Sequence, residues 1–155
     1  PSLVGSEMCI RDRMMNAEAK KLMATNSHFV NPSGLHDDNH YTTAYDLYLI
    51  FNECIKHDEF VKIINSSSYT AHITGADGTK RDVKWEPTNY YAKGEATPPD
   101  NVTIIGGKTG TTKGAGNCLI LLTKDSSGNP YISIIMGAAS KPLLYQDMTS
   151  MLSKI

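Results

Sequence analysis

One short stretch concentrates residues able to do chemistry: Gly106 to Cys118 reads GGKTGTTKGAGNC. Lys108 is a cation suited to proton traffic or to holding an anion, and Thr109 and Thr111 carry hydroxyls that can bind a carboxylate. Gly106, Gly107 and Gly110 leave room for a substrate backbone to come close. A backbone N–H just past Gly110 can point at a developing oxyanion. Two chemistries use such a set, phosphate binding and acyl transfer. A phosphate loop requires Gly-x-x-x-x-Gly-Lys-Ser/Thr. Gly107, Lys108 and Thr109 supply its end, but Val102 stands where the first glycine belongs. Such a loop also opens a helix, whereas Cys118 to Leu122 read as a strand. Acyl transfer fits better, because Lys-Thr-Gly on an edge strand is one of three boxes, with Ser-x-x-Lys and Ser-x-Asn, of serine acyl-transfer enzymes. The tripeptide alone is weak, since about 3 % of chains this long carry it by chance. The strand before it and the glycines around it add weight.

The elements that must position this stretch follow from periodicity. Met15, Ala19, Leu22 and Met23 fall at helical spacing and predict a short helix ending near Thr25. Residues 27–40, SHFVNPSGLHDDNH, contain the turn pairs Asn31-Pro32 and Ser33-Gly34 and read as a loop. Thr43-x-x-Asp46 is a capping signal for a helix whose apolar face is Ala44, Leu47, Tyr48, Phe51, Cys54 and Ile55. Phe60, Ile63 and Ile64 suggest a further short helix. Tyr69, Ala71 and Ile73 then alternate with polar residues, Asp77-Gly78 turns the chain, and Val83 and Trp85 mark the return strand. Residues 87–101 read as a loop, with Tyr90 and Tyr91 as candidates for the border of a substrate cleft. Three strands follow, Thr103–Gly107, Asn117–Thr123 and Tyr131–Met136, the last two joined by a hairpin over Ser126–Pro130. Ser140 and Pro142 open a final helix with Leu144, Met148, Met151 and Leu152 on its inner face. The fold class is α+β, an antiparallel sheet packed by helices with a C-terminal helix.

Composition bounds the rest. The chain has 155 residues, 40 % hydrophobic and 20 % charged, which suits one globular domain. A net charge of -1 gives no reason to expect nucleic acid or an anionic membrane surface as a partner. Cys9, Cys54 and Cys118 lack zinc-ligand or Cys-x-x-Cys spacing. Cys118 reads as strand packing rather than a nucleophile, and Trp85 as a sheet anchor. His36 and His40 with Asp37 and Asp38 lie in a loop without a metal-binding motif and read as structural or solvated. No metal or cofactor is expected.

The first thirteen residues are set apart from residues 14–155. Pro1 to Arg13 show no period, no cap and no secretory signal pattern. Residues 2–13 back-translate to a string that resembles a transposase adapter used in sequencing-library preparation. The expectation is therefore a non-native leader over 1–13, followed by a protein cut in its middle.

Beyond Met14 the chain resembles the low-molecular-weight penicillin-binding D,D-carboxypeptidases, the peptidase S11 type. The resemblance rests on GGKTGTTKGAGNCL, on SHFVNPSGL (27–35) and HYTTAYDL (40–47) upstream, and on ISIIMGAAS followed by LLYQDMTSMLSKI. It implies the C-terminal part of a serine β-lactamase-like, penicillin-binding transpeptidase fold and a reaction through an acyl-enzyme. The substrate would be a peptidoglycan stem peptide ending in D-Ala-D-Ala, with β-lactams as inhibitors of the full-length enzyme. The setting would be outside the cytoplasmic membrane, with the signal peptide not in this chain. By position, Lys108 shares electrostatic and proton-transfer work, Thr109 holds the terminal carboxylate, Gly110 lets the substrate approach, and the Thr111 N–H is one oxyanion donor. No serine in the chain has lysine three residues on, and the one Ser-x-Asn string, Ser127-Gly128-Asn129, sits after Lys-Thr-Gly and reads as a turn. The expectation is a truncated, inactive part of a carboxypeptidase. A catalytically empty peptidoglycan- or β-lactam-binding module, or a β-lactamase, are the alternatives.

Overall fold

A computed structural model of the chain describes residues 3–155, with side chains from residue 10 onward. The first helix, α1 (Leu3–Lys21), crosses the boundary expected after Arg13 and stops short of Thr25. Good helix formers such as Glu, Met, Arg, Ala and Lys, with no proline and no glycine after Gly5, carry that run. Met23 then takes the left-handed conformation, φ 63°, while the Ala24 N–H reaches back to the Ala19 carbonyl at 2.9 Å. This is the helix-closing arrangement usually given to glycine.

α2 (Ala44–Cys54) begins where its capping signal placed it: the Thr43 hydroxyl accepts from the Asp46 N–H. α3 (Asp58–Ile64) meets it edge-on through Phe51 and Phe60, 5.6 Å apart. β1 (Tyr69–Thr74) and β2 (Lys80–Trp85) form a separate antiparallel hairpin. Trp85 does not anchor a sheet core; it is 54 % exposed and stacks on Tyr69 across the hairpin. The expected loop at 87–101 holds a short helix, α4 (Tyr90–Lys93), capped by Asn89 and ended by Gly94 at φ 73°.

β3 (Val102–Thr112), β4 (Gly116–Asp125) and β5 (Pro130–Ala138) make an antiparallel sheet in that order, so β3 is an edge strand. β3 runs past Gly107 and takes the whole Lys-Thr-Gly stretch into regular strand. α5 (Lys141–Leu152), capped by Ser140, lies on one face of this sheet. Val102, Leu119 and Leu121 pack there against Leu144, Tyr145, Met148 and Leu152. Each such side chain, removed from water, contributes about 1.5–3 kcal/mol. Met151, expected on the inner face, is 39 % exposed; Tyr145 is buried in its place. The Tyr145 phenol explains the exchange, because it accepts the Tyr90 N–H at 2.9 Å and its ring stacks on Tyr90 at 4.5 Å. α4 is thereby fastened to α5.

Candidate functional site

The placement of Lys108 depends on one irregularity in β3. Before it, Val102 and Ile104 pair with Asp125 and Thr123; after it, Gly106 pairs with Leu122 and Lys108 with Ile120. Directly paired residues share a face of the sheet. In a regular strand Lys108 would therefore lie opposite Leu119, on the face covered by α5. The extra residue at Ile105 shifts the parity and turns Lys108 to the other face, as bulges near active sites do. Thr109 and Thr111 now share the α5 side with Leu119 and Asn117. One bulge thus splits the motif across the two sides of an edge strand.

The three glycines divide the work differently from the expectation. A Cβ on Gly106 would lie 2.3 Å from the Ile64 carbonyl oxygen, and one on Gly107 2.2 Å from that of Ile120. These two glycines let α3 and β4 pack against β3; they do not make room for a substrate. At Gly110 an added Cβ meets nothing within 4 Å, so only this position opens onto free space.

The motif lines a cleft of about 630 Å³ that wraps the outer edge of β3. Its lining includes Lys108 to Thr112, Cys118, Thr88, the start of α5 at Lys141, and the loop residues Pro32 to Gly34. The Lys108 ammonium donates to the Thr109 carbonyl. Thr109 Oγ1 lies 2.5 Å from Thr88 Oγ1, and Thr111 Oγ1 donates to Asn117 Oδ1 at 3.3 Å. The Asn117 amide in turn donates to the Ala138 carbonyl at 3.0 Å, tying β3 to β5 through its side chain.

The far wall is held by polar clamps. Asp46, fully buried, accepts from the Asn26 N–H at 2.8 Å and from the Ser27 hydroxyl at 2.7 Å. Asn16 exchanges two hydrogen bonds with the Phe29 backbone, and His40 Nδ1 accepts from the Val30 N–H. Asn31 closes the turn over Pro32–Gly34 by bonding both backbone groups of Leu35. The Asp46 signal was read as a helix cap alone; its carboxylate also fixes the loop that faces Lys108. Among the described residues no cluster of His, Cys, Asp or Glu has metal-binding geometry.

Of the expected site residues, Lys108, Thr109, Gly110 and Thr111 all line this cleft. Tyr90 and Tyr91 do not border it; both pack on Tyr145, and the Tyr91 hydroxyl bonds Thr149 Oγ1 at 2.7 Å. Cys118 is half-buried at the cleft wall, with its thiol on the Ala115 carbonyl. Ser127-Gly128-Asn129 forms the β4–β5 turn around Asp125, with Gly128 at φ 86°, at the far end of the sheet from Lys108. Thr88, Asn117 and Lys141 were not singled out from the sequence. Thr88 and Lys141 had no motif to mark them, and Asn117 became legible only once its register opposite Thr111 was known.

The sequence model of the D-alanyl-D-alanine carboxypeptidase family, peptidase S11, matches residues 10–140. The chain belongs to this family. Among its members, DacF of Bacillus subtilis is 28 % identical over 145 residues, covering 90 % of this chain and 33 % of that protein. The D-alanyl-D-alanine carboxypeptidase of Streptomyces strain K15 is 26 % identical over 140 residues, covering 90 % of this chain and 46 % of that protein. The chain therefore spans less than half the length of these relatives. The crystal structure of the Streptomyces K15 DD-transpeptidase superposes with a TM-score of 0.79 at 26 % identity, over 90 % of this chain and 51 % of that one. The helices and antiparallel sheet are thus part of the penicillin-binding fold of that DD-transpeptidase, and the family is one of serine peptidases and hydrolases.

Proposed function

We propose that this chain supplies the Lys-Thr-Gly wall of a serine-type D-Ala-D-Ala carboxypeptidase, and that the nucleophile comes from a Ser-x-x-Lys box amino-terminal to Met14. The observation that carries the reading is Lys108, turned by the bulge toward an open cleft on an edge strand of a family member. A peptidoglycan stem peptide ending in D-Ala-D-Ala would lie along β3. Its terminal carboxylate would sit at Thr109, which Thr88 orients, and its scissile carbonyl at the Thr111 N–H, with the bare face of Gly110 between them. The attacking serine would form an ester, D-alanine would leave with a proton, and water would release the shortened peptide. The Lys108 ammonium favours the negative charge that builds up in each step. β-Lactams would acylate the same serine, and the reaction would take place on the outer side of the cytoplasmic membrane.

The test begins with the gene. Resequenced from mechanically sheared DNA, the frame should continue upstream of Met14 into Ser-x-x-Lys and then Ser-x-Asn, without residues 2–13. The full-length protein should bind fluorescent penicillin covalently, and Lys108→Ala should slow D-alanine release by about a hundredfold or more. A native gene that opens with residues 1–13, or a full-length protein that penicillin does not acylate, sinks the reading.

A further inference from the structure

Tyr145 does more than fill the core. It is 6 % exposed, in one cluster with Leu121, Leu144 and Met148, a place that a phenylalanine ring would fill as well. The hydroxyl is what needs a reason. It accepts the Tyr90 N–H at 2.9 Å, across 55 positions of sequence. That N–H opens α4 and has no partner within the helix. The two rings stack at 4.5 Å and 7°, so α5 sets both the height and the direction of the first turn of α4.

Two residues before Tyr90 stands Thr88, whose hydroxyl oxygen lies 2.5 Å from that of Thr109. On its amino side Thr88 follows the exposed end of the hairpin at Trp85 and Glu86, which gives it little support. On its carboxyl side come Asn89, 4 % exposed and accepting the Tyr91 N–H at 3.1 Å, and then Tyr90. The position of Thr88 is therefore set from α4, and that of α4 by Tyr145.

A hydroxyl has one hydrogen to give. With the Thr109 hydrogen spent on Thr88, none is left for an anion. With the Thr88 hydrogen given to Thr109, the Thr109 hydrogen is free, and an oxygen that already accepts is the better donor. The function proposed above places a carboxylate at Thr109, and the next step rests on it. We infer that Tyr145 is a positioning residue for that carboxylate: through the Tyr90 N–H it holds Thr88 as donor to Thr109, which aims the Thr109 hydrogen at the anion. Without the phenol oxygen the Tyr90 N–H turns to water, and the contact between Thr88 and Thr109 loses the alignment on which a hydrogen bond depends. Preference for a free carboxylate is in this way anchored in the core, on a helix that follows the motif by three strands' length of chain.

The test uses the full-length protein and two thioesters with the same acyl part. The leaving thiol carries a carboxylate in one and the methyl ester of that carboxylate in the other. Thiol release gives kcat/KM for each, and the ratio of anionic to neutral substrate is the readout. A merely structural loss lowers both values and leaves the ratio alone. Tyr145→Phe should lower the ratio about fivefold. Thr88→Val should lower it at least as much, and Thr88→Ser should keep the wild-type ratio. The double variant Tyr145→Phe with Thr88→Val should lose no more than Thr88→Val alone, because both act at one point. Tyr91→Phe removes a neighbouring bond between the same two helices, to Thr149 Oγ1 at 2.7 Å, and should leave the ratio within about twofold. An unchanged ratio in Tyr145→Phe or in Thr88→Val, or losses that multiply in the double variant, overturns the inference while the carboxypeptidase reading stands. A wild type that releases no D-alanine from a stem pentapeptide overturns both.

Discussion

Val102 and Ile104, at the start of β3, and Lys108 to Thr111, near its end, belong to one strand and one ladder of hydrogen bonds. Their surroundings are opposite. Val102 is buried in the core cluster that α5 covers, and Ile104 packs against that cluster. The second group faces open space, with threonine hydroxyls and one ammonium held by neighbours at its surface. The change takes place within the two residues around the bulge. Packing therefore fixes the strand at one end and leaves it bare at the other, so that a rigid core positions groups with few contacts of their own. Substitutions in β3 up to Gly107 and those from Lys108 onward should differ in kind, the first in folding and the second in the proposed chemistry.

The largest expected effect is at Gly107. Gly107→Ala drives a Cβ into the Ile120 carbonyl and the Leu121 side chain, both backbone and core, and should cost about 3 kcal/mol or more. Urea unfolding of the full-length protein measures it, and a loss under about 1 kcal/mol would mean that the glycine is there for ligand approach after all. Asp46→Ala should come next, at about 2 kcal/mol, because it strands the Asn26 N–H and leaves the Ser27 hydroxyl with Thr42 Oγ1 alone. It should also loosen the loop facing Lys108, so penicillin acylation should slow together with the loss of stability.

A smaller effect belongs to the buried end of the comparison. Burial pushes the phenols of Tyr91 and Tyr145 above their ordinary value, with hydrogen bonds only partly opposing it. The unfolded chain then gives up these protons first as pH rises, so it binds fewer protons than the folded chain. Stability should be intact below about pH 10 and fall as pH climbs above it. Tyr91→Phe should make that fall shallower in melting curves taken from about pH 9 to 11. The smallest effect on folding is expected at Gly110. Gly110→Ala meets nothing and should leave the unfolding midpoint unchanged or raise stability by about 0.5 kcal/mol. Under the proposed function it should nevertheless reduce acylation, since the methyl group would occupy the face assigned to substrate approach.

Local signals were legible in the sequence wherever one residue does one local job. The hydroxyls of Thr43 and Ser140 cap the helices assigned to them, and Ser126–Pro130 turns as its composition requires. The motif itself could be read because chemistry restricts its residue types. What stayed hidden depends on register. Ile104 and Lys108 are an even number of positions apart, which in a plain strand means the same face, and only the bulge separates them. Nothing in Ile104-Ile105-Gly106 announces that extra residue. Tyr145 was passed over for Met151 because helical periodicity ranks both as apolar. What buries Tyr145 is a distant partner, the Tyr90 backbone 55 residues away. Gly106 and Gly107 were misassigned for a related reason: a glycine that admits a substrate and one that admits a neighbouring carbonyl are the same letter.

The outer rim of β3 has a further consequence, concerning other copies of the same chain. Among the described residues no strand pairs with that rim, so its unused N–H and C=O groups form a template onto which a second sheet could fasten. Soluble proteins guard such rims with lysines and with bulges that twist the strand out of flatness. β3 carries both, Lys108 within it and the irregularity at Ile105, with Lys113 just past its end. Features assigned to the proposed chemistry therefore also act as gatekeepers against self-association. A variant that removed the Lys108 charge or straightened the bulge would leave a longer, flatter and more adhesive strand, and its first symptom could be precipitation rather than loss of turnover.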